Sequence, residues 1–229
     1  MFRQKIKKVG IVCNDAGSAN LIVQWAKHHK YNYILRMQGP AKKIFNSFLP
    51  KISTDSKLKN LIENSDFIIT GTSNISTIEH KARILAIKSK KKVIAVMDHW
   101  VLYKEGLTYN KKVIMPDEIW VFDKKSFIKA KKIFKKILVK LKKNLLDESF
   151  RELKKNNNRK IRNYLYFLEP IDGVIKYLKL KKFFLFLKNN KIKKNIKIKF
   201  KLHPREKIIK YYKFLKIFKQ FKYEITDDV

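Results

Sequence analysis

The chain has 229 residues, 45% of them hydrophobic and 13% aromatic, enough for one large or two small domains with real cores. Its 55 basic and 19 acidic residues give a formal charge of +36, which in an ordinary composition points to nucleic acid or an anionic membrane. Here 48 of the basic residues are lysine and only 7 arginine, beside 29 isoleucines and 16 asparagines, so the codon bias of an AT-rich genome accounts for much of the charge. Base reading and two-pronged phosphate grips draw on arginine. With so little of it and no RNA- or DNA-binding motif, nucleic acid is not expected as a partner, and a basic nucleic-acid-binding protein is the weakest reading.

One cysteine, Cys13, excludes an internal disulfide and suits a reducing compartment, and no zinc-ligand spacing occurs, so no metal is expected. No apolar run reaches about 18 residues, and the N-terminus MFRQKIKKVGIVC lacks a signal-peptide core and cleavage site. A cytoplasmic protein is expected. Residues 121–229 carry 34 basic and 10 acidic groups against 21 and 9 in residues 1–120, so a polyanion or membrane surface is to be sought in the second half. The run KAKKIFKKILVKLKKN (129–144) puts Phe134, Ile137, Leu138 and Leu141 on one face among lysines. It reads as a lysine-solvated helix and strand on a core, or as a peripheral contact with an anionic inner membrane.

In chain order, short Ile/Val-rich runs predict strands at 8–13 (KVGIVC), 31–37, 66–71, 92–98, 118–123 and, more weakly, 136–140. Between them, helical periodicity predicts Ala19–Lys30, GPAKKIFNSF (39–48) with Pro40 at a first turn, Ile75–Lys90 and Lys124–Lys135. Residues 145–160 read as a helix and loop. The rhythm then restarts with strand 163–170, helix Gly173–Asn189, strand 196–204, helix Arg205–Phe221 and strand 223–226. The expected fold is α/β: a Rossmann-like parallel sheet domain (1–145), a linker helix or loop (146–162), and a second, incomplete Rossmann-like unit (163–229).

In open parallel sheets, ligands bind beyond the carboxyl ends of strands. NDAGSANL (14–21) follows the first strand, and its Asp15, Gly17 and Ser18 form either a small-residue ligand loop aiming amides at an anion or a tight capped turn. It is neither a dinucleotide fingerprint nor a phosphate loop, so neither NAD nor ATP is indicated. TGTSNIST (70–77) follows the third strand. Gly71, Thr72 and Ser73 could bind an acceptor or phosphate, while Ser76 and Glu79 have the spacing of a capping box. MDHWVLY (97–103) places Asp98 beside His99, with Trp100 and Tyr103 near. It is either a general base with a sugar-stacking ring or a buried polar pair. Pro116, Asp117 and Glu118 are expected in a turn at a solvated edge. His28 and His29 suit the end of the first helix, and His80 reads as structural.

KFKLHPREK (199–207) ends a strand at Leu202 and begins a helix at Pro204, leaving His203 at a helix mouth with Arg205 beside it and Lys201 before it. An anion is favoured there, or His203 only caps the helix. Two α/β units, a Gly/Ser loop after the first strand and this Lys-Leu-His-Pro resemble GT-B-type glycosyltransferases of bacterial surface-polysaccharide synthesis. The nearest likeness is to the His-Pro-motif sialyl- and polysialyltransferases and the CDP-glycerol glycerophosphotransferases.

The resemblance implies transfer of a sugar or polyol phosphate from a CMP-, CDP- or UDP-linked donor to a saccharide acceptor, with no tightly bound cofactor. It assigns residues 1–145 to the acceptor and 163–229 to the donor. Lys201, His203, Pro204 and Arg205 would meet the donor phosphate, and Asp15, or else Asp98 with His99, would serve as the base. Related enzymes carry a Ser/Thr phosphate loop beyond the point where this chain ends, so a shortened second domain is expected. A truncated or non-catalytic partial transferase is the alternative.

Overall fold

A computed structural model describes residues 7–73, 76–99, 104–146, 163–168, 173–189, 197–202, 207, 209, 211–216, 219 and 222–226. The chain divides into two compact units at residues 156 and 157. Of the expected linker 146–162, only Leu146 is among the described residues.

In the first unit the strands β1 (Lys8–Cys13), β2 (Asn32–Met37), β3 (Phe67–Thr70), β4 (Lys92–Val96), β7 (Glu118–Val121) and β8 (Leu138–Leu141) form one parallel sheet in the order β2-β1-β3-β4-β7-β8. Its helices are α1 (Ala16–Lys27), α2 (Gly39–Phe48), α3 (Leu58–Glu63), α4 (Ile78–Lys88) and α5 (Lys124–Ile133). A short hairpin, β5 (Thr108–Tyr109) and β6 (Lys112–Val113), lies between β4 and β7. Val9, Ile11, Val12, Ile68, Ile69, Val93, Ala95, Ile119 and Val121 are all fully buried. A sheet covered on both faces needs uninterrupted apolar strands, which is why these runs do not alternate. Packing is close at Gly10, where an added Cβ would meet Leu61, Ser65 and Ile68 within 2.5–2.8 Å.

Three expectations need correction. First, α1 starts at Ala16 and not Ala19, because Asp15 already has extended backbone angles and Ala19 donates to its carbonyl. Gly17 and Ser18 therefore belong to the first helical turn and not to a loop. Second, residues 129–144 are the expected helix and strand, but Phe134, Ile137, Leu138 and Leu141 do not share one face. α5 ends at Ile133, Phe134 is buried, and Leu138 and Leu141 are exposed on the edge strand β8.

Glu118, expected at a solvated edge, is 2% exposed. Its carboxylate accepts from Trp120 Nε1 (2.5 Å) and pairs with Lys92 and Lys140 at 3.0 Å each. Burial pushes this carboxyl upward, but the bonds from Trp120, Lys140 and Lys92 outweigh it and hold the pKa below the ordinary carboxylate range. The three strands β4, β7 and β8 are thereby clamped together, through the first residues of β4 and β7 and the third of β8. Glu118→Ala should cost about 1–3 kcal/mol, since Trp120 Nε1 is left buried without its acceptor. The ion pairs with Lys92 and Lys140 add a part that is present above the unfolded-state pKa and is lost as pH falls through the lowered folded-state value. Urea unfolding of both proteins at neutral and acid pH checks it, and the gap between the two curves should narrow at low pH, where the neutral carboxyl still accepts from Trp120.

The second unit has β9 (Asn163–Phe167), α6 (Gly173–Asn189), β10 (Lys197–Lys201), α7 (Tyr212–Leu215) and β11 (Lys222–Thr226), with a parallel sheet in the order β11-β10-β9. Leu180 and Leu187 of α6 and Tyr211 and Leu215 at α7 pack on Ile198 and Phe200, so both helices cover one face of this sheet. Successive strands added in one direction with crossovers of one hand require that placement. The other face carries the exposed Leu165 and Phe167. Lys197 and Lys199 also lie on this face, both paired with Glu224. Much of the expected helix Arg205–Phe221 lies outside the described residues.

Candidate active site

β1 and β3 are neighbours whose following connections leave in opposite directions, to β2 and to β4, so the sheet's topological switch point lies between them. The chain after β1 and the chain after β3 meet there. The backbone N–H of Asn14 donates to Glu79 Oε1 at 2.9 Å, and Thr72 Oγ1 donates to the carbonyl of Val96 at 3.1 Å, carrying the connection on to β4. Gly71 is enclosed: a Cβ there would lie 2.6 Å from Ser18 Oγ, 2.7 Å from Cys13 Sγ and 2.9 Å from Glu79 Oε1. Ser18 and Gly71, expected as ligand-loop residues, are buried and form packing across the switch point. Ser73 is buried as well and accepts from the backbone N–H of Ser76. Thr72 is half-buried and committed to Val96.

Glu79 does not close a capping box with Ser76. α4 begins at Ile78, whose N–H donates to Ser76 Oγ, and the Glu79 side chain turns inward to β1. Its Oε2 is buried without a hydrogen-bond partner, and burial raises its pKa to about 7, against the Asn14 bond and Arg83, with Asp15 and Asp98 adding to the rise.

One turn on, Arg83 is fully buried. Its Nη1 donates to Thr70 Oγ1 and the Gly71 carbonyl, both at 3.1 Å, and its Nη2 donates to the Gly106 carbonyl at 3.1 Å and to His80 Nδ1 at 2.7 Å. A guanidinium only donates, so His80 Nδ1 must be the acceptor and the ring is neutral with its proton on Nε2. Burial and Arg83 lower the His80 pKa to about 4, against a bond to the Ser73 backbone.

The opening lies one strand further along. Gly17, Asn20 and Leu21 of α1, Met97 and Asp98 after β4, Phe122 and Asp123 after β7, and Asn144 and Leu146 after β8 line a cavity of about 280 Å³. Asp98 counts as an exposed residue, yet its carboxylate is turned in against α1, so close that a Cβ on Gly17 would lie 1.7 Å from Oδ2. The desolvation of that inward carboxyl raises its pKa to about 6, against its own backbone N–H and His99, with Asp15 adding to the rise. Asp123 differs. It caps α5, accepting from the backbone N–H of Ser126 at 2.8 Å and from the Ser126 hydroxyl. Burial acts upward there too, but the Ser126 bonds prevail and its pKa is lowered. One cavity thus holds one poised carboxyl and one firmly ionised carboxylate, the kind of pairing that separates acid–base roles.

Of the candidates named from sequence, Asp98 and Gly17 line the cavity, while Asp15 stands at the first turn of α1 and acts on Asp98 through charge. His99 is exposed beside Asp98. Carboxylates at the mouth of α1 argue against the anion expected there, because the positive helix end already faces Asp98. Lys201 ends β10, half-buried. His203, Pro204 and Arg205, with Trp100 and Tyr103, lie outside the described residues. Asn20, Phe122, Asp123 and Asn144 were missed by the sequence reading, although looking beyond the strand ends at β7 and β8 would have found three of them. No group of three metal-binding side chains occurs among the described residues.

No family model and no curated protein matches the chain in sequence. Among solved structures, it is similar to the UDP co-structure of MnaA from S. aureus, at 12% identity over 98% of this chain and 69% of that one, with a TM-score of 0.66. It is also similar to UDP-GlcNAc 2-epimerase from Neisseria meningitidis bound to UDP-GlcNAc, at 12% identity over 97% and 72%, with a TM-score of 0.58. These likenesses establish the fold, which is GT-B-like. Neither is a sialyl- or glycerophosphotransferase.

Glu79 and Asp98 each yield a test. Glu79 titrates higher in the folded chain than the ordinary 4.5 of a glutamate, so it binds a proton more tightly when folded and costs stability as pH rises from there through about 7. Glu79→Gln should match the wild type near pH 4 and exceed it at pH 8 by on the order of 3 kcal/mol, read from denaturation curves. Gly17→Ala should push Asp98 from its seat at a cost of about 1–3 kcal/mol and return its pKa toward the ordinary value, measured by carboxyl NMR titration.

Proposed function

We propose that this chain is a nucleotide-sugar enzyme that transfers a sugar or polyol phosphate from a CMP-, CDP- or UDP-linked donor to a surface-polysaccharide acceptor. The observation that carries the reading is the cavity beyond β4 and β7, where Asp98 sits with its pKa raised to about 6 beside an ionised Asp123. A poised carboxylate within hydrogen-bond reach of an acceptor hydroxyl takes its proton as the glycosyl or phosphoryl centre is attacked. Asn20 and Asn144 offer amide donors and acceptors to neighbouring hydroxyls, and Phe122 offers an apolar wall for a sugar face. The donor phosphate falls to Lys201, His203, Pro204 and Arg205 in the second unit, assigned from sequence. Support for a nucleotide-linked donor comes from the GT-B-like fold and from the UDP and UDP-GlcNAc held by the two similar structures.

A second reading has a specific observation behind it, since one of those structures is a UDP-GlcNAc 2-epimerase. Asp98 could equally move a proton on the sugar of a bound UDP-sugar. The two readings separate on products: a transferase releases free nucleotide and needs an acceptor, whereas an epimerase returns an isomeric nucleotide-sugar without one.

Cytidine or uridine nucleotides at a hundredfold excess over Kd should raise the Tm by roughly 5 °C or more, and His203→Ala should abolish the shift. Asp98→Asn should keep the shift and lower turnover by about 100-fold or more. Differential scanning fluorimetry and product analysis read both. Absence of a shift with every nucleotide tested would overturn the donor assignment.

A further inference from the structure

α6 (Gly173–Asn189) is apolar on two sides. Leu180 and Leu187 face the core of the second unit, while Leu178 and Leu185 point away from it and Phe186 lies at the boundary, one edge of its ring against Tyr164 at 6.5 Å between centroids; each of the three is between 43% and 49% exposed. At 100° per residue these three fall within one broad outward arc, shared with Lys182 and flanked by Lys179, Lys181 and Lys188. The helix contains no acidic residue, and all four of these lysines are exposed. A water-facing helix has no use for three large apolar side chains on its outer face, and an apolar patch with a polar rim marks a protein or membrane contact; the two features to account for are the patch itself and a rim that is wholly basic. Both are satisfied at once by an anionic bilayer surface: the apolar side chains enter the headgroup–acyl boundary and the lysine stems snorkel outward to the phosphates. The other apolar surface of this unit, around Leu165 and Phe167, differs because Glu224 already engages two of its lysines. No helix among the described residues is long and apolar enough to cross a membrane, so α6 would lie on the surface.

We propose that the outward face of α6 docks this protein on an anionic lipid surface through Leu178, Leu185 and Phe186 set among lysines. The inference does not rest on the transfer reading.

A chain of this charge adheres to any anionic vesicle, so the test isolates the apolar part. Intact protein is sedimented with phosphatidylglycerol and with phosphatidylcholine vesicles, at low salt and at about 0.5 M, where charge is screened within a few ångströms. The wild type should bind the anionic vesicles and retain a salt-resistant fraction. Leu178→Ser, Leu185→Ser and Phe186→Ser together should weaken that fraction by more than about tenfold with charge unchanged.

A second readout needs no loss of function. Cys13 is fully buried and burial holds its thiol well above the ordinary pKa, so Leu185→Cys takes an environment-sensitive dye selectively. Its emission should shift to the blue on anionic vesicles. The proposal is overturned if the triple variant binds as the wild type does, if the dye stays in water on the vesicle, or if the wild type is a dimer that the triple variant renders monomeric.

Discussion

The carboxyl edge of the larger sheet is held by a charge with no exposed surface. Arg83 would be costly to bury alone, and it is tolerated because Thr70, Gly71, Gly106 and the neutral His80 ring accept its protons. Those acceptors belong to the end of β3, to α4 itself and to the turn before β5. Glu79, on the same helix, holds the chain after β1 through Asn14. One short helix therefore fixes the exits of two adjacent strands, and the placement of α1, hence of Gly17 against Asp98, depends on it.

Much of this frame was legible in the sequence. Strands buried on both faces announce themselves as Ile/Val runs, and every expected strand with described residues is present. The pairing of Glu79 with β1 was not legible. Ser76 and Glu79 have the spacing of a cap, and spacing cannot tell whether a carboxylate turns back along its helix or inward across 65 residues of sequence. Glu118 misled for a related reason: an acidic residue before a strand looks solvated unless the lysines of two neighbouring strands and an indole two residues on are known to converge on it. α1 was placed three residues late because Gly17 reads as a breaker, whereas here its missing side chain makes room for Asp98.

The two halves of the candidate chemistry differ in how they became visible. Asp98 could be suspected from its place after a strand, but its poise required the packing, since the same carboxyl in water would titrate with ordinary acids. The lysine-rich 129–144 stretch shows the converse. Its periodicity suggested one surface, and the backbone divides it between a helix end and an edge strand, while α6, with no dominant polar side, carries apolar side chains out among its lysines. The lone cysteine also loses its force as an indicator of compartment, because a thiol sealed between Ser18 and Gly71 is inert in oxidising and reducing surroundings alike.

The enclosure of Gly71 has a consequence for direction. In an open parallel sheet the gap at the switch point is the natural doorway, and here Cys13, Ser18 and Glu79 occupy the volume that a side chain at Gly71 would need. The cavity beside Asp98 is walled by Phe122 and Asn144 on the β7 and β8 side, so that a molecule seated against the carboxylate also meets those side chains. Selectivity in this unit then belongs to the flank of the sheet, where loops can diverge without disturbing the sealed seam between β1 and β3.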